Sequence, residues 1–231
     1  MNAEDRIAAL EAQVASLAHG LAIQEDVQAI RTLQFAYGYF MDKCMFAEIV
    51  DLFAEDAELH FMGGVFKGKA GARRLYGGSS GMNGPEHGML FEHIIAQDIV
   101  HVAPDRTTAE GRFRTFMQGG VHRSKEGAPP AIPPQFLEAG IYENRYVREG
   151  GVWKFQLFNY KVVYQCDFSV GWANAPEAPL MVSEHRKTFP ESASGPDALE
   201  ARPDRWPKAV VMPFHYRHPV TGEPIRTPVP K

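Results

Sequence analysis

Between Leu90 and Cys166 the chain runs through four long strand-like segments, Leu90–Val102, Thr107–Val121, Gln135–Arg148 and Val152–Cys166. Asp105-Arg106 and Glu149-Gly150-Gly151 fall where hairpin turns belong. Residues 123–134, RSKEGAPPAIPP, form a longer, proline-stiffened connection. The part before these strands reads differently. Helices are expected over Ile23–Cys44, Phe46–Phe53 and Gly68–Leu75, with short strands at Ala57–Phe61 and Val65–Lys67 around a Gly63-Gly64 turn and an acidic turn at Glu55-Asp56. Helices first and a run of antiparallel strands afterwards predict an α+β fold, with helices covering one face of a bent sheet.

The stretch from Phe35 to Phe61, FAYGYFMDKCMFAEIVDLFAEDAELHF, carries the chemistry. Asp42 sits among Phe35, Tyr37, Tyr39, Phe40, Met41 and Phe46. A carboxyl group in apolar, aromatic company is costly to ionise, and one so tuned can serve as a general acid or base. The plainer alternative is that Asp42 ends its helix and faces water. Tyr37 and Asp42 are separated by about 140° on a regular helix, whereas Tyr39 and Asp42 share a face.

Two flanking segments differ from this centre. In residues 1–22, Ile7, Leu10, Val14, Leu17 and Leu21 alternate spacings of three and four, the seam of a coiled coil. So short a helix is not stable alone and is expected to pack on its own domain or, preferably, on a sister subunit, ending at His19-Gly20. After residue 167 no helical or strand period is visible, and eleven of the seventeen prolines lie there. Trp172, Trp206, Phe214 and Tyr216 argue against disorder, so 168–231 reads as an extended arm lying on a surface. The expected units are thus 1–22, 23–167 and 168–231.

With net charge −4 and no basic stripe, nucleic-acid binding is not expected. No apolar run reaches the length of a membrane span, and the acidic N-terminus is unlike a secretory signal. Cys44 and Cys166 make no metal or redox motif, which fits a reduced, cytoplasmic setting. The histidines show no metal-ligand spacing, and neither metal nor cofactor is expected. Residues 77–88, GGSSGMNGPEHG, lack the Gly-Lys-Ser/Thr ending of a phosphate cradle and read as a pocket flap.

Taken in order, Tyr37…Asp42, FAEIVDLFAEDAELHF, FKGKAGARRLY, FEHIIAQDIVHV and GIYENRYVREGGVWKF resemble the SnoaL-like branch of the nuclear transport factor 2-like superfamily, over about Ile23 to Val163. The resemblance implies a cone of helices and curved sheet around an apolar pocket. It is similar to the scytalone dehydratase and bile acid dehydratase relatives, in which an Asp of the first long helix meets a His of the first long strand. Asp42 and His93 match those positions, and Gln97 takes a place often held by Asn. Arg112 falls near a second His of scytalone dehydratase, which this chain lacks. Tyr37 matches the family position and Tyr39 the helical geometry.

Arg112 and Arg114 share one strand face with Glu110, so one of them is expected to bind a phenolate or carboxylate, unless that face is simply solvated. Tyr142 and Asn144 share a face of the third long strand and are expected to line the pocket. The catalytic candidates are therefore Asp42, His93, Tyr37 and Arg112, and the binding candidates Tyr39, Gln97, Arg114, Tyr142 and Asn144. The resemblance implies a homo-oligomeric lyase, dimer or trimer, that acts on a hydroxylated, aromatic small molecule by dehydration. The Pro-rich arm and the Arg-bearing strand also resemble the diarylpropane lyases of lignin breakdown, which release formaldehyde. An isomerase or cyclase of ketosteroid isomerase type, and a non-catalytic binder of hydrophobic ligands, are the alternatives.

Overall fold

A 40-residue helix, α1 (Ala3–Asp42), opens the chain. Asn2 caps it: its side chain accepts from the Asp5 N–H at 2.8 Å while the Asp5 carboxylate accepts from the Asn2 N–H at 3.1 Å. The expected stop at His19-Gly20 does not occur. A single glycine costs a helix about 1 kcal/mol, too little to break one that is continued and anchored further along. The computed structural model describes residues 2–78, 84–128, 132–175, 187–202, 204–209 and 211–229. Of the flap read over 77–88, residues 79–83 lie outside the described residues, while 77 and 78 are helical.

Only the C-terminal half of α1 enters the domain. Its buried residues, Asp26, Ile30, Gln34, Tyr37 and Gly38, recur at helical spacing and form one face. Asp26 anchors that face. Its carboxylate accepts from Arg106 Nε at 2.5 Å and Trp153 Nε1 at 3.0 Å, with Arg148 at 3.7 Å. The Arg106 guanidinium holds Asp26 below the usual carboxylate range, against the opposing effect of burial.

A short helix α2 (Phe46–Asp51) leads into β1 (Phe53–Phe61), β2 (Gly64–Lys67), α3 (Gly68–Gly78), and then β3 (Met89–Val102), β4 (Thr108–Val121), β5 (Gln135–Glu149) and β6 (Val152–Asp167). A two-residue β7 (Ala198–Leu199) completes a seven-stranded sheet in the order β3-β4-β5-β6-β1-β2-β7. Neighbours run antiparallel except β1 and β6, which are parallel. The α+β layout expected from the element order and the cone implied by the family resemblance are both present, with one parallel pairing that the run of hairpins did not foretell. Glu55-Asp56 is not a turn. It lies inside β1, where the register to β6 shifts between Phe53 and Glu58. The core between sheet and helices is aromatic, with Tyr37, Phe53, Tyr146, Phe155 and Phe158 buried in mutual contact.

The described parts of the arm lie on their own domain. β7 pairs with β2, Trp206 donates through its backbone N–H to Val163 O at 2.8 Å and through Nε1 to Trp172 O at 2.6 Å, and Arg74 stacks over Phe189 at 4.5 Å. Among the described residues no helix is long and apolar enough to cross a membrane.

Candidate active site

Asp42 is the last residue of α1, and it turns towards β3 rather than towards water. Its Oδ1 accepts from the backbone N–H of His93 at 2.7 Å and lies 2.8 Å from His93 Nδ1. Both side chains are 7% exposed. A carboxylate on Nδ1 fixes the tautomer with the proton on that nitrogen and leaves Nε2 as the basic one. Gly38, one turn before Asp42 on the same helix face, makes the approach possible. A Cβ there would stand 3.0 Å from Ile95 Cδ1 and 3.3 Å from His93 O.

The two tyrosine candidates separate. Tyr37 is buried and points into the cone, where its hydroxyl accepts from Tyr76 OH at 3.3 Å and its ring packs edge-on to Tyr142 at 6.0 Å. Tyr39 is 74% exposed, because it stands on the face of α1 turned away from the core. Burial pushes the Tyr37 hydroxyl up and those of Tyr76, Tyr142 and Tyr160 well above the ordinary tyrosine range. These phenols are therefore neutral hydrogen-bond donors at any ordinary pH.

Arg112, Arg114 and Gln97 are not brought to the dyad. Directly paired strand residues share a face, and Arg112 and Arg114 sit on the outer one, alternating with buried Phe113 and Thr115. Arg112 donates to Glu143 and to the carbonyls of Met212 and Pro213, and stacks over Phe214 at 4.4 Å, so it fastens the arm. Arg114 donates to Gln97 Oε1 at 3.1 Å. Gln97 occupies an irregular stretch of β3 with φ 46°, which carries its side chain out to that arginine. Asn144 is buried between the sheet and α1. There it donates to Gln34 Oε1 at 2.9 Å and accepts from the Asn159 N–H at 2.9 Å, tying sheet to α1.

The residue that sequence reasoning missed is Glu138. The register runs His93, Met117, Glu138, Gln165 across β3, β4, β5 and β6, which sets all four in one row of the inner face. Glu138 is 3% exposed and accepts from the Tyr160 hydroxyl and from Gln165 Nε2. Burial pushes its carboxyl above the usual range, although hydrogen bonds from Tyr160 and Gln165 and the neighbouring His93 and Arg205 pull the other way. Arg205 comes from the arm and donates to Gln165 Oε1 at 3.2 Å. The arginine that reaches this row is therefore Arg205, not a strand residue. Nearby, the hydroxyl of Thr115 is buried without a hydrogen-bond partner. Among the described residues no group of three or more His, Cys, Asp or Glu is placed to hold a metal ion.

A cone of helices and curved sheet with a carboxylate–imidazole pair on its inner wall defines a protein of the nuclear transport factor 2-like class. The sequence profile of the SnoaL-like domain matches residues 23–159, and the chain belongs to that family. Its fold is similar to that of a candidate scytalone dehydratase from Novosphingobium aromaticivorans, at 20% identity and TM-score 0.50 over 66% of this chain and 91% of that one. It is similar to LinA at 19% identity and TM-score 0.50, over 67% of this chain and 95% of that one. It also aligns with a LinA-type3 hexachlorocyclohexane dehydrochlorinase from Novosphingobium barchaimii at 21% identity and TM-score 0.49, over 66% and 94% of the two chains. At such identities the likeness concerns the fold. No curated protein matches the sequence.

Proposed function

We propose that the chain is a lyase acting on a hydroxylated aromatic small molecule held inside the cone, by proton transfers that its own side chains carry out. The observation that supports this reading is the Asp42–His93 pair, shielded from water on an aromatic inner wall. His93 Nε2 is the base, and Asp42 stabilises the imidazolium that forms. Glu138, whose burial favours the protonated acid, is the second proton carrier in the same row. Arg205 supplies positive charge for a substrate phenolate at that end of the row.

Two outcomes fit these parts. In a dehydration, Nε2 removes a carbon-bound proton, the C–H electrons form the new double bond, and the hydroxyl leaves with a proton from Glu138 as water. In a diarylpropane diol bearing a para-phenol, loss of the benzylic hydroxyl gives a quinone methide. Nε2 then takes the proton of the terminal hydroxyl. The terminal carbon leaves as formaldehyde, and the electrons of the broken C–C bond form the alkene and restore the phenolate. We favour an aromatic, lignin-type dimer as substrate because the wall is built of Phe and Tyr rings.

A second reading, isomerisation of a polycyclic ketone, is favoured by the Tyr37–Tyr76–Tyr142 cluster, whose neutral hydroxyls suit a developing oxyanion. Mass spectrometry of the purified protein incubated with hydroxylated diaryl and polycyclic compounds separates the two. A product lighter by water, or by water and formaldehyde, is expected. Deuterium uptake from heavy water with no mass loss would replace the lyase by the isomerase, and neither change would leave a binding protein.

A further inference from the structure

The first half of α1 leaves the domain with its apolar stripe uncovered. Residues 2–21 are all exposed, and Ile7, Leu10, Val14, Leu17 and Leu21 are more than half exposed. Written as heptads, Ile7, Val14 and Leu21 take position a, and Leu10 and Leu17 take position d. We propose that this stripe packs against the same stripe of a second copy of the chain, as a parallel, in-register, two-stranded coiled coil.

Three features point to that occupant and that direction. β-branched Ile7 and Val14 at a, with leucine at d, favour two parallel strands. Arg6 stands at g and Glu11 at the e position of the next heptad. In the parallel register g of one helix faces that e of its partner, so two Arg6–Glu11 pairs form across the seam. An antiparallel pairing sets e against e, and Glu4 and Glu11 would then face glutamates. A surface groove is lined by Ile7, Leu10, Glu11, Val14 and Ala15. Its first four residues are successive a, d, e and a positions, the hole that receives a d-position side chain in a parallel pair, so Leu10 of the second copy fills it. A lipid surface is the poorer occupant. The polar face of this half-helix carries Glu4, Asp5 and Glu11 against a single cation, Arg6, where binding to anionic lipid calls for a cationic face.

The test uses the full chain, whose own cysteines, Cys44 and Cys166, are buried. Leu10→Cys is exposed in one copy and central in the coil, while Ala12→Cys lies on the outer face. Under mild oxidation Leu10→Cys is expected to convert to a covalent dimer while Ala12→Cys stays single under the same conditions. Adding Arg6→Glu to Leu10→Cys should slow the cross-link, and adding Glu11→Arg as well should restore it. Equal cross-linking of the two cysteine variants, or a charge reversal without effect, would overturn the proposal. All of these positions are exposed on the half of α1 that leaves the domain, so loss of folding does not confuse the outcome.

Discussion

Gly38 lies against the backbone of His93: a Cβ on the glycine would stand 3.3 Å from the His93 carbonyl oxygen. The missing side chain lets α1 settle close to β3, and one turn later Asp42 reaches both the backbone N–H and the ring of His93. Glycine inside a helix is locally unfavourable. Here the close approach of two elements is what it makes possible.

Gly38→Val should therefore separate α1 from β3. A branched side chain cannot be absorbed by the flexible end of Ile95 alone, and overpacking of this kind costs about 1–3 kcal/mol. The expected result is a lowered melting temperature and a larger loss of turnover than the stability change explains. The downfield NMR signal of the His93 Nδ1–H should shift or vanish. Gly38→Ala should be far milder, because its helix propensity gain offsets the tighter contact.

Gly140→Ala tests the other side of the row. A Cβ at Gly140 would lie 2.3 Å from the Tyr160 ring, which lies across the glycine to reach Glu138. The ring must move, at a cost of about 1–3 kcal/mol. Near-ultraviolet circular dichroism should report the displaced tyrosine, and turnover should fall as Glu138 loses a partner.

The sheet and its helices were legible because turn residues mark the ends of each long strand and because the helical segments precede them in one block. The Asp42–His93 pair was legible through the order of family motifs, not through local sequence. Helical geometry favoured Tyr39 with Asp42, but the residue sharing that face and serving the site is Gly38, a mid-helix glycine whose presence was the available signal. A spacing of two placed Arg112 and Arg114 on one face without saying which face. Glu138 gave no signal at all. Its neighbours Leu137 and Ala139 are ordinary strand residues, and its setting is made by Tyr160, Gln165 and Arg205, far along the chain.

Two carboxyls should give stability profiles of opposite sign. Asp26 has its pKa lowered by Arg106, so its contribution is present above the ordinary Asp value of 3.8 and is lost as pH falls through the folded value. Glu138 has its pKa raised by burial, so its contribution is fully present below the ordinary Glu value of 4.5 and is lost as pH rises through the folded value. Melting curves across pH should show Asp26→Asn losing the acid-side dependence. Glu138→Gln should gain on the wild type as pH rises. A constant offset in either variant would contradict these assignments.

Arg112→Met should release the arm without touching the dyad. The guanidinium holds Met212 and Pro213 carbonyls and lies over the Phe214 ring. Limited trypsin digestion should cut at Arg217 sooner in the variant, while turnover stays within about twofold of the wild type, as befits a change remote from the reacting groups. A large loss of turnover with the arm still protected would return Arg112 to the site.

The most direct test of the catalytic reading is Asp42→Asn on a substrate that the wild type converts. An amide on His93 Nδ1 removes the charge that stabilises the imidazolium and no longer holds the proton on that nitrogen. Turnover is expected to fall by about 10²–10⁴-fold, the usual contribution of a positioned general base, with the circular dichroism spectrum unchanged. Turnover within a few-fold of the wild type, in a variant that folds, would contradict the assignment of Asp42 and His93 as the acid–base pair.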